Sequence, residues 1–162
     1  MPVPALFKAL QDSPLGSTIS TSTWMFPTIE TVHVIALSIV LGSIVVVDLR
    51  LLGVASKEQS VTALTHEFLP WTWGAYVLSA ISGLLLFSSR AADYVALSAF
   101  NMKFVLMALA GLNMVVFHYT TYRSVRVWDN GRPVAAARIA GGLSLLLWAA
   151  IVICGRKVGF SL

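Results

Sequence analysis

The sequence has little charge. Of its 162 residues only 11% are Asp, Glu, Lys or Arg while 57% are hydrophobic, against about 25% charged residues in an average soluble domain. Too few polar side chains are present to cover a water-exposed surface, and with a mean hydropathy of +0.83 the chain falls in the membrane class. Cysteine is almost absent. The single Cys154 sits in an apolar run, so no internal disulfide can form, no cysteine cluster can hold zinc or iron–sulfur, and the thiol reads as buried and structural. The N-terminus has no basic segment followed by an apolar core. A cleaved signal peptide is therefore not expected, and the first membrane helix serves as the targeting signal. Internal repeats and low-complexity tracts are missing as well.

What is present is a set of four long apolar runs, which predict an all-α bundle of four transmembrane helices in a single domain over 1–162. The expected spans are about 27–52, 69–89, 98–122 and 134–155, each near the roughly 20 residues that about 30 Å of hydrocarbon requires. Before them, PVPALFKALQD (2–12) sets Leu6, Phe7 and Leu10 against Lys8, Gln11 and Asp12, an interfacial amphipathic helix too short to span. SPLGSTISTSTW then reads as a surface loop leading to Trp24, and SKEQSVTALTHEF as a polar linker before the second span. Small residues recur at Gly42/Ser43, Ser79/Ser82/Gly83, Ala108/Gly111 and Ala137/Gly141/Ser144, where helices can approach closely in lipid.

The formal charge is +4, with a pI near 9.6. Its basic residues flank the apolar runs, as residues that snorkel and set topology do; nucleic acid is not an expected partner, and the lipid bilayer is. One set of helix ends carries Lys8, Arg90, Arg156 and Lys157, and the other Arg50, Lys57, Arg123, Arg126, Arg132 and Arg138. The excess on the second side predicts that both termini lie outside the cytoplasm.

Ionisable residues inside a span are costly and are functional candidates by default. Glu30, His33, Asp48, Lys103 and His118 fall within the first and third runs, and His66 at the threshold of the second. From the helical rise, His33 lies about 9 Å into the first span and Lys103 about 8 Å into the third, at one outer level. His118 lies about 6 Å before the end of the third span and shares the inner level with His66. Two imidazoles on different helices at one depth can ligate a haem iron, with Arg50, Arg123, Arg126 and Tyr122 near enough to meet its propionates. Interfacial or capping histidines give the same spacing. At the outer level Glu30 and His33 share a helix face. Glu30 can hold His33 in one tautomer and leave the ring free for haem iron or copper, and Met25, Met102 and Met107 suit Cu(I) or simple packing. Lys103 reads as a snorkelling anchor or a functional amine, and Asp48 with Arg50 as an ion pair closing the first span. Trp71, Trp73, Tyr76, Trp128 and Trp148 read as interface or packing residues.

The strings ETVHVIALSIVLGSIVVVDLRLLG, SGLLLF, FNMKFVLMALAGLN and LSLLLW with GRK resemble a group of small bacterial four-helix membrane proteins known only as a domain of unknown function. More distantly, a histidine early in the first span and a lysine opening the third are similar to the CopD-like copper-resistance proteins and the HemJ-type protoporphyrinogen oxidases. That resemblance implies haem and porphyrin chemistry at His33 and Lys103, with Asn113 standing where the HemJ pattern has a further histidine. The architecture is also similar to the diheme b-type cytochromes.

Together these observations give the expected function: a membrane cytochrome-like protein binding haem b, with one haem in each leaflet at most, in electron transfer or small-molecule redox chemistry as a candidate oxidoreductase. His118 and His66 would ligate the inner haem and His33 the outer haem or a copper ion. Copper transit at Glu30 and His33, and a cofactor-free scaffold, are the alternatives. A quinone or small oxidant is the expected redox partner. A homo-oligomer is expected because four short helices enclose little volume, and the bacterial inner membrane is the expected location.

Overall fold

A computed structural model describes residues 3–161; Met1, Pro2 and Leu162, at the ends of the expected domain and amphipathic segment, lie outside the described residues. The described chain is helical, with helices α1 (Val3–Gln11), α2 (Pro14–Thr21), α3 (Met25–Leu52), α4 (Val61–Ser89), α5 (Ala91–Ala96) and α6 (Ser98–Tyr119), then a 3-10 turn (Tyr122–Ser124), α7 (Val125–Trp128) and α8 (Ala135–Ser161). The four long helices α3, α4, α6 and α8 are each long and apolar enough to cross a bilayer. At 28 residues, α3 measures about 42 Å, longer than about 30 Å of hydrocarbon, so its ends extend beyond the apolar layer or the helix tilts.

Three boundaries differ from the sequence expectation, each for a local reason. The stretch expected as a loop before Trp24 contains α2, because Ser13 accepts a hydrogen bond from the Gly16 amide at 3.1 Å and Pro14 supplies a preformed first turn. The linker before the second span is mostly helix: Ser60 accepts from the Ala63 amide at 3.0 Å and starts α4 at Val61, so Pro70 lies inside the helix. Likewise α8 runs through Arg156 and Lys157 to Ser161. Hydrophobicity marks where a helix is in lipid, whereas its hydrogen bonds continue into water.

The long helices form a bent row in which α3 packs against both α4 and α8, α8 against α6, while α4 and α6 make little contact. Small residues carry the seams, as expected: Ser43, Ser79, Ser82, Ala137 and Gly141 are buried. At Gly141 a Cβ would lie 3.0 Å from both the Asp48 carbonyl and the Leu51 Cβ, so glycine lets α3 and α8 approach closely without displacing either. The α6 pair differs. Ala108 is exposed and a Cβ at Gly111 would meet nothing within 4 Å, as at Gly42.

The N-terminal helices close one end of the row. Ile19 is fully buried, a Cβ at Gly16 would collide with the Ser88 carbonyl at 2.5 Å, and the Gln11 side-chain oxygen accepts from the Ala92 amide at 3.0 Å. At the other end Gly53, with φ of 72°, stops α3: its amide bonds to Arg50 O at 3.0 Å and that of Val54 to Leu49 O at 3.1 Å.

Candidate functional site

Because α4 and α6 barely meet, the bundle has a cleft of about 390 Å3 lined by α3, α4, α6 and α8. That volume is within the range of about 300–1,000 Å3 typical of small-molecule and cofactor sites. Its α4 wall is Thr65, Phe68, Leu69, Thr72, Trp73 and Tyr76, a single helical face by spacing. Five polar side chains line this mainly apolar cleft at the α3, α6 and α8 sides: Ser43, Asp48, Asn113, His118 and Ser144.

His118 has a defined tautomer. Its Nδ1 lies 3.0 Å from the carbonyl oxygen of Met114, and a carbonyl can only accept, so Nδ1 carries a hydrogen and, in the neutral ring, Nε2 has the lone pair. Phe117 and Tyr122 flank the imidazole at 5.7 and 5.1 Å between ring centroids. His66 is not brought to this point: it sits in the second turn of α4, exposed, and the cleft takes Thr65 and Phe68 on either side of it instead. A helix turns about 100° per residue, which carries His66 off the lining face.

The expected pairing of Asp48 with Arg50 does not form. Arg50 is 1% exposed, with Nε donating to Gln59 O at 2.7 Å and one terminal nitrogen to Asp129 O at 2.9 Å and Gly131 O at 3.3 Å. The guanidinium thus ties the α3–α4 loop to the α7–α8 loop. Asp129 completes the tie by accepting from the Thr62 amide at 2.9 Å and from the Thr62 hydroxyl. Arg123 and Arg126 remain exposed just beyond Tyr122, with Arg123 over the Tyr119 ring at 6.0 Å. Asp48 is 6% exposed; it meets the Ser144 hydroxyl, and its Oδ2 has no hydrogen-bond partner.

The outer level holds a second polar group. His33 Nδ1 lies 3.0 Å from the Ser82 hydroxyl. Ser82 spends its hydrogen on the Leu78 carbonyl at 2.7 Å, so its oxygen accepts from Nδ1–H, and the His33 ring also hydrogen-bonds to the Ser79 backbone. A Cβ at Gly83 would lie 3.0 Å from His33 Cε1, so the glycine clears space for the ring. Ser82 therefore fills the orienting role expected of Glu30. Glu30 is exposed and within electrostatic reach of Tyr94, whose phenol burial pushes above its usual range, with Arg90 opposing and Glu30 adding to the shift. Lys103 lies within electrostatic reach of both His33 and Cys154, its Nζ 3.8 Å from where a Gly155 Cβ would stand. Met25 and Met102 are exposed and Met107 lines the inner cleft. Among the described residues no three His, Cys, Asp or Glu side chains are grouped to hold a metal ion.

Ser144 and Ser82, read from the sequence only as small packing residues, and Asn113, noted only against the HemJ pattern, also enter these sites. Asn113 alone carried a signal, an amide in the middle of an apolar run; its Nδ2 donates to the Ala140 carbonyl at 3.0 Å and so also joins α6 to α8.

No curated protein and no solved structure matches the chain. It is matched over residues 6–161 by a family of unknown function, and the chain belongs to that family (DUF6644).

Proposed function

We propose that the protein is a cytochrome-like membrane protein that binds a b-type haem in the cleft between α4 and α6, where His118 would hold the iron. The observation that carries this reading is the hydrogen bond of His118 Nδ1 to the Met114 carbonyl, which in the neutral ring leaves Nε2 as a ligand atom on a residue that lines a cleft with apolar and aromatic walls. The partial opening between α4 and α6 suits a flat macrocycle whose edge need not be enclosed. Haem would supply one-electron chemistry there. Exposed Arg123 and Arg126, following Tyr122, would meet propionates at the membrane surface, a role that Arg50 is not free to share. The reading needs one imidazole and not the expected His66 pair. His33, held through Nδ1 by Ser82, is the position for a second haem or a copper ion in the other leaflet.

In this reading the protein sits in a bacterial inner membrane with both termini periplasmic, exchanges electrons with a quinone or small oxidant, and acts as a homo-oligomer. The deciding measurement is the pyridine haemochrome spectrum and metal content of the purified protein. His118→Ala should lose most of the haem while the protein stays folded, and His66→Ala should retain it. Unchanged haem content in His118→Ala, or no haem in the wild type after haem supplementation, overturns the proposal.

A further inference from the structure

Asp48 stands apart from the other buried polar groups. Ser43, Ser79 and Ser82 return their hydroxyls to carbonyls of their own helices, and Arg50 has loop acceptors. Asp48 is as buried as these, lines the cleft, and has one carboxyl oxygen bonded to nothing. A buried acceptor without a donor is costly, and such groups gather where a protein needs them for something other than stability.

The surroundings leave it without a built-in counter-charge. On its own helix Arg50 is turned to the loops. The α8 wall brings the Ser144 hydroxyl, while Arg138 on the same helix is exposed. The remaining titratable groups that line the cleft are His118 on α6, Tyr122 after it, and Tyr76 on α4. None of these is a fixed cation. A negative charge added to the cleft therefore has one acid inside it through which it can be neutralised.

We infer that Asp48 is the proton-accepting group of the cleft, gaining a proton at Oδ2 when a haem held by His118 gains an electron. The inference rests on the haem reading above. Asp48 in its carboxylate form takes one proton from water at the near membrane surface, forming an O–H bond at Oδ2. The accompanying electron would come from a lipid-soluble hydroquinone, which would leave as its semiquinone after releasing one proton to the aqueous phase, and haem held by His118 would supply the one-electron acceptor. Net charge in the cleft is unchanged, which matters because charges interact more strongly in a low-dielectric interior than in water. Asp48 acts through the field and not as a ligand.

The test is a potentiometric titration of the full-length protein in phospholipid nanodiscs, with dithionite as reductant and ferricyanide as oxidant, across about three pH units around neutrality. A one-proton, one-electron couple lowers the midpoint potential by about 59 mV for each tenfold fall in proton activity. The wild type should approach that slope over part of the range. Asp48→Asn should flatten it with unchanged haem content, and Asp48→Glu, which restores a carboxyl, should restore it. A wild-type potential independent of pH with haem bound, or an Asp48→Asn variant that keeps the slope, overturns the inference and leaves the haem reading standing. A haemochrome assay that finds no haem overturns both.

Discussion

Replacing Arg50 with alanine removes the tie between the two loops at one end of the bundle. Three hydrogen bonds from a charged donor are lost, to the carbonyls of Gln59, Asp129 and Gly131. Bonds from charged groups contribute about 1.5 kcal/mol each at the lower end of their range. The freed carbonyls lie in loops that water can reach, which returns part of that sum, so a loss of about 3 kcal/mol is expected, consistent with the effect of breaking a buried polar network. Arg50→Lys should recover only part of it, because one ammonium cannot span acceptors in two loops. Asp129→Ala removes the carboxylate that caps the first turn of α4 through Thr62, at a cost of about 1 kcal/mol. The two losses should be less than additive, since both hold the same loop and detaching it once releases both. Reversible unfolding in mixed micelles, followed by fluorescence and including the buried Trp128, measures all four proteins. A loss below about 1 kcal/mol in Arg50→Ala, or strict additivity in the double variant, would refute the argument that the guanidinium organises this end.

Three further expectations follow from contacts between helices. Gly83→Ala places a methyl 3.0 Å from His33 Cε1, so it should displace the imidazole, break its bond to Ser82, and shift the histidine 15N resonances; an unchanged ring spectrum counts against the placement of His33. Gly141→Ala pushes α8 from Asp48 and Leu51 at a cost of about 1–3 kcal/mol, and a thermal unfolding midpoint equal to wild type would show that the helices do not meet there. A phosphatase reporter fused after Leu162 should be active, as it is only outside the cytoplasm, whereas a reporter active only inside would reverse the orientation argued from the lysines and arginines.

Four apolar runs were enough to read the spans, since lipid imposes their length and composition. Element ends were less legible. Ser60 and Ser13 start helices in polar sequence, where a hydropathy pattern has no signal and only capping does. The proximity of His33 and Lys103 was readable from helical rise, but azimuth was not. His66 and His118 can share a level while the turn of α4 takes His66 off the cleft face, and no period is clean enough in a helix apolar all round to fix that rotation. The same limit hid Ser82 as the partner of His33, because it lies on another helix, and made the local neighbour Glu30 the obvious choice. Asp48 and Arg50 looked like a pair for being two residues apart. At that spacing helical side chains point in different directions, and the loops that claim Arg50 lie 9, 79 and 81 residues away along the chain.

The slight contact between α4 and α6 has a consequence for how any occupant of the cleft is counted. A ligand entering between those helices arrives by lateral diffusion within the bilayer, so occupancy follows its mole fraction in lipid and not its concentration in water. A poorly soluble compound can then saturate the protein at trace total amounts, while more lipid at fixed ligand dilutes it away. Detergent tails belong to the same apolar phase and compete for the same entrance. Affinities measured in micelles and in bilayers should therefore differ by the ratio of the two apolar volumes even if every contact in the cleft is the same.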